Sequence, residues 1–180
     1  GLAEALEKND LQVVLNDPVA AGVMTDLGWD GEIFSGGCGS ANCYSDYLYV
    51  VESNLGVNKA NYFLYRSMEQ KIEIKETGVE RILRINYENL AKSTSWPGGD
   101  YKNYLRIYLP KDVQVSEVSM TMGGQKKIVA LNEVKMVNVA DKRELGFLVM
   151  VPISKKVVVE VKYVSSFTQM KDKFSYLLYV

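Results

Sequence analysis

The sequence predicts an α+β protein in which a short α/β segment, residues 1–69, precedes an antiparallel β-sandwich, residues 70–180. Two observations support this division. Capping signals near the N-terminus are typical of short helices, whereas from Gln70 onward apolar and polar residues alternate with the period of a β-strand. We expect the front segment to be part of a domain that is truncated at its N-terminus.

Helix signals lie before residue 28. Residues 2–8 (LAEALEK) consist mainly of helix formers, and residues 11–15 (LQVVL) are compatible with a short strand. Asp17 and Pro18 suit the N-cap and the first position of a second helix. That helix should end at Gly28, because glycine readily adopts the left-handed conformation that follows many helices.

Period-two alternation marks the strands of the predicted sandwich. Alternating segments occur at residues 70–76, 82–87, 101–109 and 157–163, and we expect further strands at 113–122, 127–139 (with a break), 144–151 and 174–180. A strand expected at 47–52 belongs to the front segment. Turn-forming residues such as Gly98-Gly99 separate these segments. The spacing predicts an immunoglobulin-like antiparallel β-sandwich of about seven to eight strands.

Composition narrows the possible functions. Twenty-one Lys and Arg residues nearly balance 22 Asp and Glu residues, which argues against a nucleic-acid partner. No stretch approaches the roughly 20 apolar residues of a membrane span. The chain has no histidine, the commonest general base and metal ligand, and its two cysteines cannot form a four-ligand zinc site. We therefore expect no catalytic residues, no metal and no cofactor.

Two motifs resemble a known family. Residues 46–66 (DYLYVVESNLGVNKANYFLYR) and 101–115 (YKNYLRIYLPKDVQV) are similar to blocks in the C-terminal region of the DUF4012 family, bacterial proteins of unknown function. The matching positions are Asn54, Gly56, Asn58, Lys59, Tyr101, Asn103, Tyr104, Arg106, Tyr108 and Pro110. Members are usually predicted to carry an N-terminal membrane anchor with the bulk outside. The resemblance implies an extracytoplasmic, cell-surface location, with membrane attachment only through an anchor that precedes this chain.

Cys38 and Cys43 lie in a glycine-rich loop, residues 29–46. Four intervening residues allow their Cα atoms to approach within roughly 4.4–6.8 Å, the range of a disulfide. An extracytoplasmic location would favour oxidation. We interpret the pair as a structural disulfide, with free thiols as the alternative and a metal or redox role as a third.

The asparagine-rich block after the first predicted strand is a candidate ligand-binding site. Asparagine and glycine are ordinary turn formers, so a polar turn accounts for Asn54 and Asn58 without a ligand. Lys59 is either a solvated tip or the buried partner of a carboxylate such as Asp46 or Glu52. Ligand contact by Asn54, Asn58, Lys59 and Asp46, together with Trp96, is the alternative hypothesis.

Aromatic residues form a second candidate surface. Trp96 lies in a Trp-Pro-Gly-Gly loop, and Tyr104 and Tyr108 lie on the strand face opposite Leu105. These rings could stack on sugars, although tyrosine is also a normal strand residue that packs against its cross-strand neighbours.

These features favour a non-catalytic extracytoplasmic module of the cell envelope that contacts another protein or a cell-wall glycan. The alternative is part of an enzyme acting on envelope polymer, with its catalytic residues in the preceding region or around Asp30, Asp46 and Lys59. The carboxylates near the glycine-rich loop show neither a calcium-binding spacing nor a recognisable acid pair: Asp26, Asp30, Glu32 and Asp46.

Overall fold

The computed structural model describes residues 1–7, 11–31, 37–38, 42–167 and 174–180. The chain divides into two compact units, Gly1–Gly36 and Gly37–Val180. The described elements of the first unit are helices, and all the described strands belong to the second.

The first unit contains helices α1 (Leu2–Glu7) and α2 (Pro18–Asp26). The Asp17 side chain caps α2 as predicted, since it accepts hydrogen bonds from two backbone N–H groups of the first turn. Gly28 follows the helix with φ of 69°, the expected left-handed conformation. In the part of the chain that the structure describes, neither helix has the length and apolar character needed to cross a membrane.

Residues 11–15 form no strand, contrary to the sequence-based expectation. The Val13 N–H donates a hydrogen bond to the Trp29 carbonyl, but no ladder of such bonds continues along the described segment. Val14 is 83% exposed, so the apolar run does not bury a strand face. A run this short becomes a strand only where a neighbouring strand pairs with it.

The second unit consists of strands, with short 3-10 helices at Ala60–Phe63 and Leu131–Glu133. The strands are β1 (Cys43–Tyr47), β2 (Tyr49–Asn54), β3 (Leu64–Lys75), β4 (Gly78–Asn89), β5 (Tyr101–Pro110), β6 (Gln114–Met122), β7 (Gln125–Val129), β8 (Lys135–Val139), β9 (Lys142–Val151), β10 (Lys156–Ser166) and β11 (Ser175–Tyr179). The segment predicted at 127–139 is therefore divided between β7 and β8.

Two antiparallel sheets form the body of the second unit. One has five strands in the order β3-β4-β10-β6-β7, and the other has four in the order β2-β5-β9-β8. Both sheets contribute to one hydrophobic cluster, which includes Ile85 of β4, Val159 of β10, Ile107 of β5 and Phe147 of β9. This shared core is compatible with the predicted β-sandwich. Among the described residues the two sheets together have nine strands, whereas the sequence predicts seven to eight.

The alternation in the sequence corresponds to burial in the sheets. In β4, Leu83, Ile85 and Tyr87 are buried, whereas Arg84 between them is exposed. The same pattern holds along β10. Because successive side chains of a strand point to opposite faces, a period-two pattern identifies the face that packs on the core.

The division between the units lies between residues 36 and 37, which differs from the predicted boundary between 69 and 70. Glu69 lies inside β3, which pairs with β4 without interruption. β3 is at the edge of its sheet and has no fully buried residue, so its alternation is weak in the sequence. The pattern therefore becomes visible only after the strand has begun.

β1 and β11 form a separate parallel pair, with Tyr47 opposite Tyr179. The sequence predicts one strand at residues 47–52, but the chain passes from β1 into β2 at Leu48. Leu48 is buried in the core and donates its N–H to the Tyr179 carbonyl. The pairing joins residues that are far apart in the chain, which local sequence patterns cannot reveal.

We expect the protein to lose stability at alkaline pH because its core contains tyrosines. Burial raises the pKa of Tyr163, and likewise those of Tyr87, Tyr101 and Tyr176. In the unfolded chain these phenols ionise near pH 10. The stabilisation is therefore complete below about pH 10 and decreases as the pH rises towards the folded-state pKa values. Urea unfolding on either side of about pH 10 measures the decrease.

Two substitutions test the assignment to buried phenols. Tyr163→Phe should reduce the alkaline decrease, because it removes one of the groups that ionise only in the unfolded chain. Tyr62→Phe, at a site that is 82% exposed, serves as the control. An equal alkaline decrease in the parent protein and the Tyr163 variant would contradict the explanation.

Candidate functional site

The asparagine turn, residues 54–61, follows β2. Asn54 Oδ1 accepts a hydrogen bond from the Gly56 N–H at 2.9 Å, and its Nδ2 donates to the Asn58 carbonyl at 3.2 Å. Asn58 Oδ1 accepts from the Ala60 N–H at 3.2 Å. Both asparagines thus bond to backbone groups of their own turn, as the turn-forming interpretation predicts.

The asparagine turn is joined to the tryptophan loop, residues 96–100. Asn58 Nδ2 donates to the Asp100 carbonyl at 3.0 Å. The Lys59 N–H donates to the Pro97 carbonyl at 2.9 Å. These two bonds bring together segments that the sequence analysis treated as separate candidates.

The tryptophan loop approaches the turn closely and leaves its aromatic ring outside. A Cβ added at Gly99 would lie 2.6 Å from Asn58 Nδ2, and φ at Gly99 is 131°, so glycine is required here. Trp96 is 74% exposed. Four of the five predicted ligand-binding residues therefore lie in two joined loops: Asn54, Asn58, Lys59 and Trp96.

Lys59 is exposed and is not the buried partner of Asp46 or Glu52. Glu52 pairs with Arg66 at 2.8 Å, and Asp46 pairs with Arg81 at 2.6 Å. Arginine can bind a carboxylate with several donors, which suits it to these positions better than lysine. Lys59 thus agrees with the alternative interpretation, a solvated residue at the tip of the turn.

Asp46 lies in a buried ion pair and not in the two loops. It belongs to β1 and its partner Arg81 to β4, and both side chains are 0% exposed. Asp46 Oδ1 accepts the Tyr47 N–H at 2.9 Å, while its Oδ2 accepts the hydroxyl of Tyr176 in β11. Arg81 Nη1 donates to Ser165 Oγ in β10 at 3.1 Å. The pair therefore links the β1–β11 strands to the five-stranded sheet.

Two tyrosine rings complete the surroundings of Arg81. Its Cζ lies 5.1 Å from the ring centroid of Tyr44 and 5.3 Å from that of Tyr163. Burial disfavours the charged guanidinium, but the Asp46 carboxylate, with help from the Tyr176 hydroxyl, keeps the pKa of Arg81 above its ordinary value. Arg81 is thus permanently charged, and its ion pair with Asp46 has no exposed surface that a ligand could contact. We therefore interpret Asp46 as structural.

A cleft of about 640 Å³ opens between the two sheets beside the asparagine turn. One wall carries Met120 and Met122 of β6, and the other carries Leu148 and Met150 of β9. Leu55 of the asparagine turn also lines it. The volume lies within the range of ligand sites, and methionine side chains adapt readily to different partners.

Lysines are the charged residues of the cleft. Lys126 forms an ion pair with Glu117 at 2.7 Å, but Lys102 and Lys127 have no ion-pair partner within the described parts of the chain. Lys127 shares a face of β7 with the buried Val129, so it occupies a position on the side of the strand that faces the core.

Neither the cleft nor Arg81 was predicted. The methionines of the cleft lie on strands that are distant in sequence, and Arg81 is 35 positions from Asp46. Lys127 offered no signal either, because Gln125 shares its face of β7 and only Val129 on that face is apolar.

The tyrosines that were considered for sugar stacking pack within the sheets. Tyr108 is 6% exposed, so its ring cannot present a stacking surface. The Tyr104 hydroxyl lies so close to Gly146 that an added Cβ would be 2.4 Å away. Cross-strand packing, the alternative interpretation, accounts for both residues.

Cys38 and Cys43 form the predicted disulfide, with Cα atoms 5.5 Å apart. Disulfides are typical of oxidising compartments outside the cytoplasm. Asp30, which belongs to the first unit, accepts a hydrogen bond from the Thr25 hydroxyl, and Glu32 is outside the described residues. Within the described ranges, no group of three or more Cys, Asp or Glu side chains could hold a metal ion.

Comparison with protein-family models finds no match, and no curated protein matches the chain. The resemblance to the DUF4012 family stays a prediction. The geometry of the described residues is therefore the basis for any statement about function.

We expect the buried ion pair to be essential for stability. Arg81→Met should lower the free energy of unfolding by about 3–5 kcal/mol, because it leaves the Asp46 carboxylate buried without its cation. The double variant Asp46→Leu/Arg81→Met should lose less than Arg81→Met alone, since it removes both charges. Urea unfolding measures each value.

Arg84→Met is the matched control for this prediction. Arg84 lies on the same strand, but its side chain is 48% exposed and pairs with Glu160 at the surface. Its replacement should cost no more than about 1 kcal/mol. Similar losses for the two single variants would show that the buried pair has no special role.

Proposed function

We propose that this chain is a non-catalytic binding module that acts outside the cytoplasm and holds a partner protein at the cleft beside the asparagine turn. The observation that carries the proposal is the cleft itself, an apolar groove of about 640 Å³ between two sheets. Grooves of this volume with a mostly apolar lining are typical places where proteins bind their ligands.

Exposed apolar side chains around the cleft support a protein partner. Leu148 is 63% exposed, Leu55 57% and Met150 52%. Large apolar residues that cluster at the surface mark interaction sites. The surface of the cleft is mostly apolar, although Asn103, Gln125 and three lysines also line it, so the lining favours a protein segment over a glycan.

The proposed location has two supports. The disulfide favours an oxidising compartment outside the cytoplasm. The resemblance to the DUF4012 family extends the proposal to the bacterial cell surface, with a membrane anchor that precedes this chain. The immunoglobulin-like subclass of the sandwich likewise stays a prediction, because many sandwich folds share two antiparallel sheets around one core.

A cell-wall glycan is the second candidate partner. It is favoured by Trp96, a residue that is 74% exposed in a loop fixed by Asn58. Part of an enzyme acting on envelope polymer is the remaining alternative. Asp46 is buried against Arg81 whereas Lys59 is exposed, so these two residues do not form the acid and lysine pair that this alternative would use.

A photo-crosslinking residue placed at Leu148 in the native host tests the proposal. We expect one discrete protein adduct at this position, because Leu148 lines the cleft. The matched control is the same probe at Ile74, an apolar residue of β3 that is 49% exposed. Met150→Glu should abolish the Leu148 adduct, since it places a charge on the apolar wall.

Two results would contradict the protein partner. One is equal crosslinking at Leu148 and Ile74, and the other is the absence of any adduct at Leu148. The glycan would be favoured instead if the protein sediments with purified cell wall, Trp96→Ala abolishes this co-sedimentation and Met150→Glu leaves it unchanged.

A further inference from the structure

The strand β9 has an open edge beside the cleft. It pairs with β5 over its whole length, from Lys142 to Val151, but with β8 only up to Gly146. Residues 147–151 therefore have a neighbouring strand on one side only, within the described chain. Alternate residues of an antiparallel strand direct their N–H and C=O groups to each side, so this edge presents backbone groups without strand partners.

The cleft runs along that open edge. Leu148, Val149 and Met150 are successive residues of β9, and all three line it. Successive side chains point to opposite faces of a sheet, so a surface that touches all three passes round this strand. The cleft also extends to Lys102 and Asn103 of β5, on the paired side of β9, so one more strand beside residues 147–151 would occupy part of it.

The lysines of the cleft indicate the chemistry of a ligand that could bind there. Lys102 and Lys127 line the cleft and have no ion-pair partner among the described residues. Lys127 lies opposite Met120 in the β6–β7 ladder, so a cation stands beside an apolar wall. A bound chain that carries both carboxylate and apolar side chains would complement the two.

We infer that the cleft accepts an extended peptide segment of the partner protein, which pairs with residues 147–151 of β9 as an added strand of the four-stranded sheet. This inference rests on the proposed function, since it names the partner's bound segment. The segment alternates apolar with acidic residues and pairs over about five residues, the usual length of a strand. Main-chain hydrogen bonds supply affinity in such complexes, and alternate side chains supply specificity.

A synthetic peptide with alternating valine and glutamate provides the probe. Bound to the full chain, it should slow amide hydrogen exchange at alternate positions within residues 147–151, because those N–H groups become hydrogen-bonded. The same peptide with N-methyl groups on alternate amides should fail to bind. Replacing its glutamates by lysines should weaken binding about tenfold or more, as like charges then meet at the cleft.

Charge reversal in the protein provides the reciprocal test. Lys127→Glu should weaken binding of the glutamate peptide about tenfold, as measured by fluorescence polarisation. The control Lys71→Glu changes an exposed lysine of β3, outside the cleft, and should leave affinity unchanged. Equal thermal unfolding of both variants and the parent protein establishes that they fold.

Lysines on strands also prevent unwanted edge pairing. If Lys127 has that role alone, Lys127→Ala will strengthen binding of both the glutamate and the lysine peptide, which overturns the inference.

The remaining outcomes separate this inference from the proposed function. Peptide binding without protection of residues 147–151 overturns strand addition. If Leu148 forms an adduct with a partner protein but the glutamate peptide fails to bind, strand addition is also overturned. The proposed function then stands. Failure of both the peptide and the crosslinking experiment contradicts both. Occupation of the cleft by laurate or by a soluble wall-glycan fragment, and not by the peptide, overturns both as well.

Discussion

The buried ion pair between Asp46 and Arg81 joins β1 to the five-stranded sheet, and the chain that leads from β1 to the asparagine turn starts from this fixed point. Asp46 belongs to β1, which pairs with β11 near the end of the chain, and Arg81 belongs to the five-stranded sheet. Burying two charges is costly, and the hydrogen bonds from Tyr47 and Tyr176 to Asp46 offset part of that cost. Because β1 passes into β2 through Leu48, and β2 leads into the asparagine turn, this pair also constrains the turn.

The two candidate surfaces are physically continuous. The Leu55 N–H donates to the carbonyl of Lys102, and both residues line the cleft. Asn58, in the same turn, holds the tryptophan loop through Asp100. A partner that fills the cleft as far as Leu55 would therefore also contact the turn that supports Trp96.

Local patterns in the sequence predicted those features whose cause is local. The alternation in β4 and β10 follows from one face packing on the core, and the Asn54 and Asn58 turn follows from side chains that bond to their own backbone. Features that depend on distant partners were not predictable in this way. Arg81 as the partner of Asp46, the parallel pairing of β1 with β11, and the early start of the exposed strand β3 all belong to this second group.

The methionines of the cleft have a consequence for the lifetime of the module. Three of the seven methionines in the chain line the groove, and Met122 and Met150 are about half exposed. Peroxide and related oxidants convert methionine to its sulfoxide, and half-exposed side chains are accessible to them. Sulfoxidation would make the groove polar without changing the buried ion pair, so oxidative ageing would remove the apolar surface on which the proposed binding depends.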